Sequence, residues 1–210
     1  MGIGYGKQMT GRTNTRRRFA QFEGFTCILC KGRLTFSHTT AKEWLTLLEA
    51  SYIVFLLEPY YLNISKRLVK SPKLYFFDIG LASYLLGIEN ISHVENHPLR
   101  GNLFENLVLM EILKFRYNQG KRNNLNFYRD SRGNEVDIIY RVGQHILPIE
   151  VKAGETVAAD FFKGLRVFDK AVPELPFGKA VIYGGDRVET RHDTKICRVM
   201  DIPELLEQMA

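Results

Sequence analysis

With 210 residues, 45% of them apolar and 25% charged, the chain has ordinary globular composition and enough length for one good core or two small ones, which excludes wholesale disorder. Its longest apolar stretch, "YIVFLLEPYYLNI", contains Glu58 and Pro59 and falls short of the roughly 20 residues that a membrane span needs, and no apolar signal core follows the basic N-terminus. The net charge of +6 sits in residues 1–36, where Lys7, Arg12, Arg16, Arg17, Arg18, Lys31 and Arg33 face a single Glu23; the rest of the chain holds 22 basic and 22 acidic side chains. A strongly basic pI therefore does not describe the folded body, and the usual inference from it to nucleic acid loses its force.

Residues 1–36 are glycine-rich and basic, with no sustained period, and read as a flexible tail. The "GYGKQ" in this tail fails the phosphate-loop pattern, because Met1 stands where the first glycine belongs and Gln8 where Ser or Thr belongs. Cys27 and Cys30 form a C-x-x-C with no second pair, and with Cys197 they make no disulfide framework, which fits a reducing cytoplasm. From Ser37 the texture changes. "SHTTAKEWLTLLEAS" predicts a helix with Ser37 or Thr39 as N-cap, Glu43 as the reaching-back partner, and an apolar face of Ala41, Trp44, Leu45, Leu47 and Leu48. "YIVFLLEPYYLN" reads as a strand ending near Pro59, "SKRLVKSPKLYFFD" as a basic turn into a short strand, and "IGLASYLLGI" as a short helix closing at Gly87. This order predicts a small winged-helix-like α+β unit over residues 37–88.

Residues 89–100, polar and holding Pro98, are expected to be a linker. "GNLFENLVLMEILKFRYNQG" then predicts an amphipathic helix, capped at Gly120. Strands follow at "LNFYRDS", "NEVDIIYRV" and "HILPIEVKA", then a helix at "AADFFKGLRVFDKAV", strands at "KAVIYGG" and "KICRVM", and a last helix at "IPELLEQM". Helix, three strands, helix, strand predicts an α/β domain over 101–210 with a mixed sheet flanked by helices.

The chemistry gathers at "GNEVDIIYRVGQHILPIEVKAGE". Strand side chains alternate, so Glu150 and Lys152 project together with Val151 opposite, while Glu135, Asp137 and Ile139 are expected on one face and Val136, Ile138 and Tyr140 on the other. "RVGQ" is short enough for a hairpin that lays Asp137 beside Glu150. Two carboxylates held close repel unless a cation lies between them. Mg²⁺, or Mn²⁺ in its place, answers that need: it takes one or two protein carboxylates plus waters and phosphate oxygens, polarises a phosphoryl group and helps generate hydroxide. Lys152, on the same face, would orient that water or stabilise charge building at phosphorus.

D-x(n)-E-x-K on two adjacent strands, here Asp137 and then Glu150-Val151-Lys152, resembles the signature of the PD-(D/E)XK nuclease-like superfamily. Glu105 in "GNLFENLVLMEIL" stands where many members place a helix glutamate, with Glu111 as a substitute, and Val136 replaces the proline that often precedes the first aspartate. Residues 37–210 as a whole resemble a prokaryotic family: a domain of unknown function found C-terminal to an AAA-type ATPase domain. The resemblance implies a restriction-endonuclease-like mixed sheet, preceded by a partial winged-helix-like unit. The carboxylate and lysine arrangement makes Mg²⁺-dependent DNA hydrolysis the first expectation, with Glu105, Asp137 and Glu150 holding metal and Lys152 assisting the nucleophile. The resemblance also makes residues 1–36 foreign to the family and the chain an N-terminally truncated or frame-shifted member, with the ATPase module missing. The rival expectation is a non-catalytic module that recognises nucleic acid or a protein partner on behalf of an ATPase, or an inactive gene fragment.

Lys66, Arg67, Lys70 and Lys73 could contact phosphates or form a solvated basic turn. Trp44, Tyr60 and Tyr61 read as packing residues, the five histidines show no metal-ligand spacing, and Tyr128 and Arg129 are expected near the site through the strand that precedes the hairpin.

Overall fold

The computed structural model describes residues 38–61, 71–172 and 178–208, and residues 37–210 form one unit. Helix α1 (His38–Ala50) begins the described chain. Thr39 lies inside it and is not the N-cap, while Ser37 falls outside the described residues. A left-handed residue, Tyr52 (φ 55°), turns the chain out of α1. Strand β1 (Val54–Leu57) then pairs antiparallel with β2 (Lys73–Phe76), Leu57 opposite Lys73. The expected basic turn with Lys66, Arg67 and Lys70 lies outside the described residues. Asp78 caps α2 (Ile79–Leu85) by accepting from the Gly80 and Leu81 amides at 2.6 and 3.1 Å. Gly87, at φ +71°, takes the left-handed position just after that helix.

Within the segment expected to be a linker, the Asn90 side chain accepts from the His93 amide and starts a one-turn helix, α3 (Ile91–Glu95). Helix α4 (Arg100–Asn118) follows. Then come β3 (Leu125–Arg129), β4 (Glu135–Val142) and β5 (His145–Lys152). A 3₁₀ turn at Ala159–Phe162 runs into α5 (Lys163–Ala171). Strands β6 (Lys179–Tyr183), β7 (Glu189–Arg191) and β8 (Thr194–Cys197) precede α6 (Ile202–Glu207). Among the strands described, β7 was not legible, because "ETR" is short, polar and without apolar alternation.

The large sheet has six strands in the order β3-β4-β5-β6-β8-β7. Its β3-β4-β5 half is antiparallel, β5-β6-β8 run parallel, and β7 returns antiparallel to β8. This is the expected mixed sheet flanked by helices, with β1-β2 as a separate small antiparallel sheet. One face of the large sheet (Ile138, Tyr140, Leu147, Ile149, Val151, Ile182) packs on Val108, Leu109, Ile112 and Leu113 of α4 and on Leu205 and Leu206 of α6. The other face (Val136, Ile139, Val181, Tyr183) packs on Leu165 and Phe168 of α5.

The two segments on either side of residues 89–100 share one core. Phe55, Leu57 and Tyr75 from the β1-β2 hairpin belong to the same buried cluster as α4 and the large sheet. A buried amide fastens them: Asn106 of α4 accepts from the Phe76 amide at 2.8 Å and donates to the Phe76 carbonyl at 2.7 Å. Both polar atoms are satisfied in a dry place, which makes the clamp costly to break. Beyond β1, Pro59 bridges Phe127 in parallel, and the Tyr60 backbone amide donates to the Phe127 carbonyl. That contact covers the open edge of β3. Tyr60 also packs 6.3 Å from Phe168, whereas Trp44 is half exposed. No helix among the described residues is long and apolar enough to cross a membrane.

Helix α5 approaches the sheet so closely that one position admits no side chain. A Cβ on Gly164 would collide with the Glu135 carbonyl oxygen and lie 2.9 Å from Glu150 Oε2. The collision is with backbone, so no rotamer relieves it. We expect Gly164→Ala to destabilise the fold by about 2–3 kcal/mol through overpacking, while Gly101→Ala, with open space around it, shifts stability by less than about 0.5 kcal/mol. Urea unfolding of both variants checks this, and equal midpoints would contradict the packing.

Candidate functional site

The site forms where two neighbouring strands part. β4 and β5 pair from Val142↔His145 to Ile138↔Ile149. Past that step β4 continues beside β3 alone, through Tyr128↔Val136 and Arg129↔Glu135. β5 continues beside β6, through Glu150↔Val181 and Lys152↔Tyr183. Asp137 and Glu150 are the first residues on either side of the opening. Instead of a β4 carbonyl, the Asp137 carboxylate accepts from the Val151 amide at 2.9 Å.

A bulge in β4 changes which side chains lie together. Between Val136 and Ile139 that strand uses one more residue than β3 does. Strict alternation, which would put Val136 with Ile138 and Tyr140, therefore fails. Val136 packs with Ile139 on the α5 face, and Ile138 and Tyr140 pack on the α4 face. With the phase shifted, the Glu135 side chain meets Lys73 of β2, as does that of Glu105 on α4.

The result is a cluster of four carboxyls and three cations. Lys73 Nζ lies 2.8 Å from Glu105 Oε1, in contact with Glu135 Oε1, and 3.8 Å from Asp137 Oδ1. Tyr75 donates its hydroxyl to the same Glu105 oxygen. Arg129 reaches Glu135 Oε2 at 2.5 Å. Lys152 Nζ holds Glu150 Oε1 at 2.7 Å, as expected for neighbours on one face of β5. The Phe127 ring lies beneath both Lys73 and Arg129, 5.4 and 5.6 Å from its centroid. Glu150 is 6% exposed, and its Oε2 has no hydrogen-bond partner.

The structure thus brings Glu105, Asp137, Glu150 and Lys152 into one neighbourhood, and Arg129 joins them. Tyr128 does not: it packs against Phe168 on the α5 face, ring centroids 5.0 Å apart. Glu111 pairs with Lys114 on the outer side of α4. Lys73 lies in strand β2 rather than in a solvated turn, and its ammonium is turned into the carboxylates. Glu135, Tyr75 and Asn106 were not singled out as site residues, and Lys73 was read only with the basic turn. The alternation that placed Glu135 beside Asp137 was a usable signal for it, and a lone polar Asn106 on an apolar helix face was a weak one. Nothing local tied Lys73 and Tyr75 to the cluster: they lie more than 60 residues before Asp137 and reach the site only through the hairpin's docking.

Burial sets the electrostatics. It pushes the Asp137 carboxyl well above the ordinary carboxylate range, reinforced by Glu105 and Glu150 and opposed by Lys73 and the Val151 amide. Glu150 is likewise raised by burial, with Lys152 pulling the other way. For Lys73 the carboxylates outweigh burial and hold the ammonium charged well above its usual value; the Tyr75 hydroxyl is kept protonated by burial and by Glu105.

As arranged, this donor set does not fit a divalent ion. Among the described residues no group of three or more His, Cys, Asp or Glu side chains is placed to hold one. The point on which Glu105, Glu135 and Asp137 converge is taken by Lys73. A cavity of about 920 Å³ opens at the carboxyl ends of β5 and β6, lined among others by Phe104, Glu155, Tyr183, Gly184, Arg187 and Arg198. None of the cluster's carboxylates lines it.

Comparison with known proteins adds the following. Residues 100–205 match the family model described as "Domain of unknown function (DUF4143)". Residues 29–92 match a second, "Domain of unknown function (DUF8612)". Uncharacterized proteins of Mycobacterium bovis and of Mycobacterium tuberculosis are each 28% identical to the chain over 164 residues, 78% of its length. The chain spans about a third, 35%, of the length of these curated relatives. No solved structure gives a significant match.

The raised Asp137 carboxyl has a measurable consequence. An unfolded aspartate titrates near ~3.9, and the folded one holds its proton to higher pH. From about pH 4 up to that raised value the native state binds more protons than the unfolded state, so this group's contribution to stability is lost as pH rises. We expect the stability of the wild type relative to Asp137→Asn, which cannot titrate, to fall steadily as pH rises above about 4. Urea midpoints of the two proteins across pH check it, and parallel profiles would contradict it.

Proposed function

Because this chain belongs to the DUF4143 family, whose model covers residues 100–205, we propose that it is the nuclease-like part of an ATPase-associated protein, in which the acidic cluster is closed by the chain's own cations and serves a non-catalytic module. The observation that carries this reading is Lys73 among Glu105, Glu135 and Asp137. A metal-dependent hydrolase needs carboxylate oxygens free to ligate and a route for substrate to reach them. Here Lys73 and Tyr75 engage Glu105 Oε1, the Val151 amide engages Asp137 Oδ2, and Lys152 engages Glu150 Oε1, while Lys73 stands 3.8 Å from Asp137 Oδ1 and Glu150 Oε2 is buried without a partner. The neighbouring cavity is not lined by them. The nuclease-like part of the proposal rests on the Asp137, Glu150-Val151-Lys152 pattern at the opening between β4 and β5, and on the mixed six-stranded sheet that carries it. The association with an ATPase, supplied elsewhere in a longer chain or by a partner, and contact with DNA rest on the family resemblance alone.

One observation favours a second reading, Mg²⁺-dependent hydrolysis of DNA with Glu105, Asp137, Glu150 and Lys152 as the working residues. Glu150 Oε2 is a buried acceptor with no donor, and such an atom is costly unless something outside the described side chains satisfies it.

Two measurements on the purified chain separate the readings. In millimolar Mg²⁺ or Mn²⁺ we expect plasmid and single-stranded DNA to be cut no faster by the wild type than by Asp137→Ala, and calorimetry to register no heat of Mn²⁺ binding. Cutting that disappears in Asp137→Ala would overturn the proposal in favour of the hydrolase.

A further inference from the structure

We propose that Lys73 is the resident cation of the acidic cluster, a positioning residue whose ammonium takes the place a divalent ion would otherwise occupy and ties the cluster's geometry to the docking of the β1-β2 hairpin. The inference rests on the non-catalytic reading above and deepens it by naming the group that closes the site.

The ammonium offers three N–H donors, and three carboxylates from two elements surround it: Glu105 of α4, and Glu135 and Asp137 of β4. Two are in direct contact, and the third stands at 3.8 Å, ion-pair rather than hydrogen-bond distance. The Lys73 side chain is 18% exposed and the three acids 19, 23 and 14%, so these charges are screened far less than a surface pair would be. A partly dry set of like charges is tolerable only with a cation held among it.

The position of that cation is set by packing. Lys73 is the first residue of β2, opposite the fully buried Leu57. Two residues on, Tyr75 is buried in the main core and donates to Glu105. One residue further, both backbone groups of Phe76 are clamped by Asn106, the neighbour of Glu105 on α4. The ammonium is therefore delivered by rigid elements rather than by a loose surface side chain. Lys152 cannot stand in for it, because its Nζ is bound to Glu150.

A merely structural ion pair and a resident cation differ in what happens when the lysine is removed. If Lys73 only adds binding energy, Lys73→Met loses stability and no solute restores it. If it occupies a cation's place, Lys73→Met leaves Glu105, Glu135 and Asp137 repelling one another around a vacated point, and Mn²⁺ becomes a stabilising ligand of the native state. The test is thermal unfolding of the full chain, wild type, Lys73→Met and Lys73→Arg, in chelator and in millimolar MnCl₂. We expect Lys73→Met to melt several degrees lower in chelator, and Mn²⁺ to raise its Tm by about 3 °C or more. We expect the wild type not to respond to Mn²⁺, and Lys73→Arg to recover most of the loss without gaining a Mn²⁺ response.

If Lys73→Met does not fold, Lys73→Met/Glu135→Gln, which removes one negative charge together with the positive one, carries the same comparison. A destabilised lysine variant that ignores Mn²⁺ would overturn the inference while leaving the non-catalytic reading in place. A wild type that Mn²⁺ stabilises as much as the variant would overturn both, since the cluster would then accept metal with Lys73 present. A Lys73→Met protein as stable in chelator as the wild type would likewise reject the resident role.

Discussion

Four carboxyl groups gathered where β4 parts from β5 cannot be withdrawn from water without positive charge beside them, and much of this molecule's layout serves that requirement. Lys73 comes from the hairpin, Arg129 from the edge strand β3, and Lys152 from the same strand as Glu150. Each cation approaches from a different direction, so the cluster holds together only when hairpin, α4 and sheet are all in place. The bulge in β4 matters for the same reason. It shifts the phase of that strand, so Glu135 meets the hairpin's lysine while Val136 packs beneath α5.

That dependence explains why the β1-β2 hairpin behaves as part of the large sheet's core. Phe55, Leu57 and Tyr75 each remove a sizeable apolar surface from water, on the order of 2 kcal/mol apiece. The Asn106 amide adds direction to this non-directional attraction, because it can satisfy both of its polar atoms in only one alignment of β2 against α4. The two matched families, over residues 29–92 and 100–205, thus meet in one hydrophobic core and one charge cluster. On the opposite face, Gly164 lets α5 approach the Glu135 backbone and the Glu150 carboxylate closely enough to exclude water from them.

Most of the elements were legible because their signals are local. The α4 helix announced itself by an apolar face, β4 and β5 by apolar runs with a short turn between them, and α2 by a glycine stop at Gly87. Asp137, Glu150 and Lys152 stood out because charge in an apolar strand is costly and therefore conspicuous. Less was visible where the signal was short or discontinuous. β7 is three polar residues held by its neighbour β8, and the turn of helix at Ile91–Glu95 depends on one asparagine cap. Trp44 looked like a packing residue yet lies half exposed on α1, where the apolar face of a helix says nothing about whether a partner covers it.

By itself the sequence determined the order of helices and strands, the mixed α/β class, and the neighbourhood of Asp137, Glu150 and Lys152, because periodicity and a short hairpin act within a few residues. Only the tertiary structure decided what neutralises those carboxylates. A cation's place is set by distance in space. The lysine that fills it lies more than 60 residues before Asp137, on a hairpin whose docking is decided by buried side chains and a single buried amide. The same electrostatic problem, like charges held close in a dry place, admits a metal ion or a lysine as its answer. The motif is identical in both cases, and what the packing of the hairpin adds is a lysine ammonium placed among Glu105, Glu135 and Asp137.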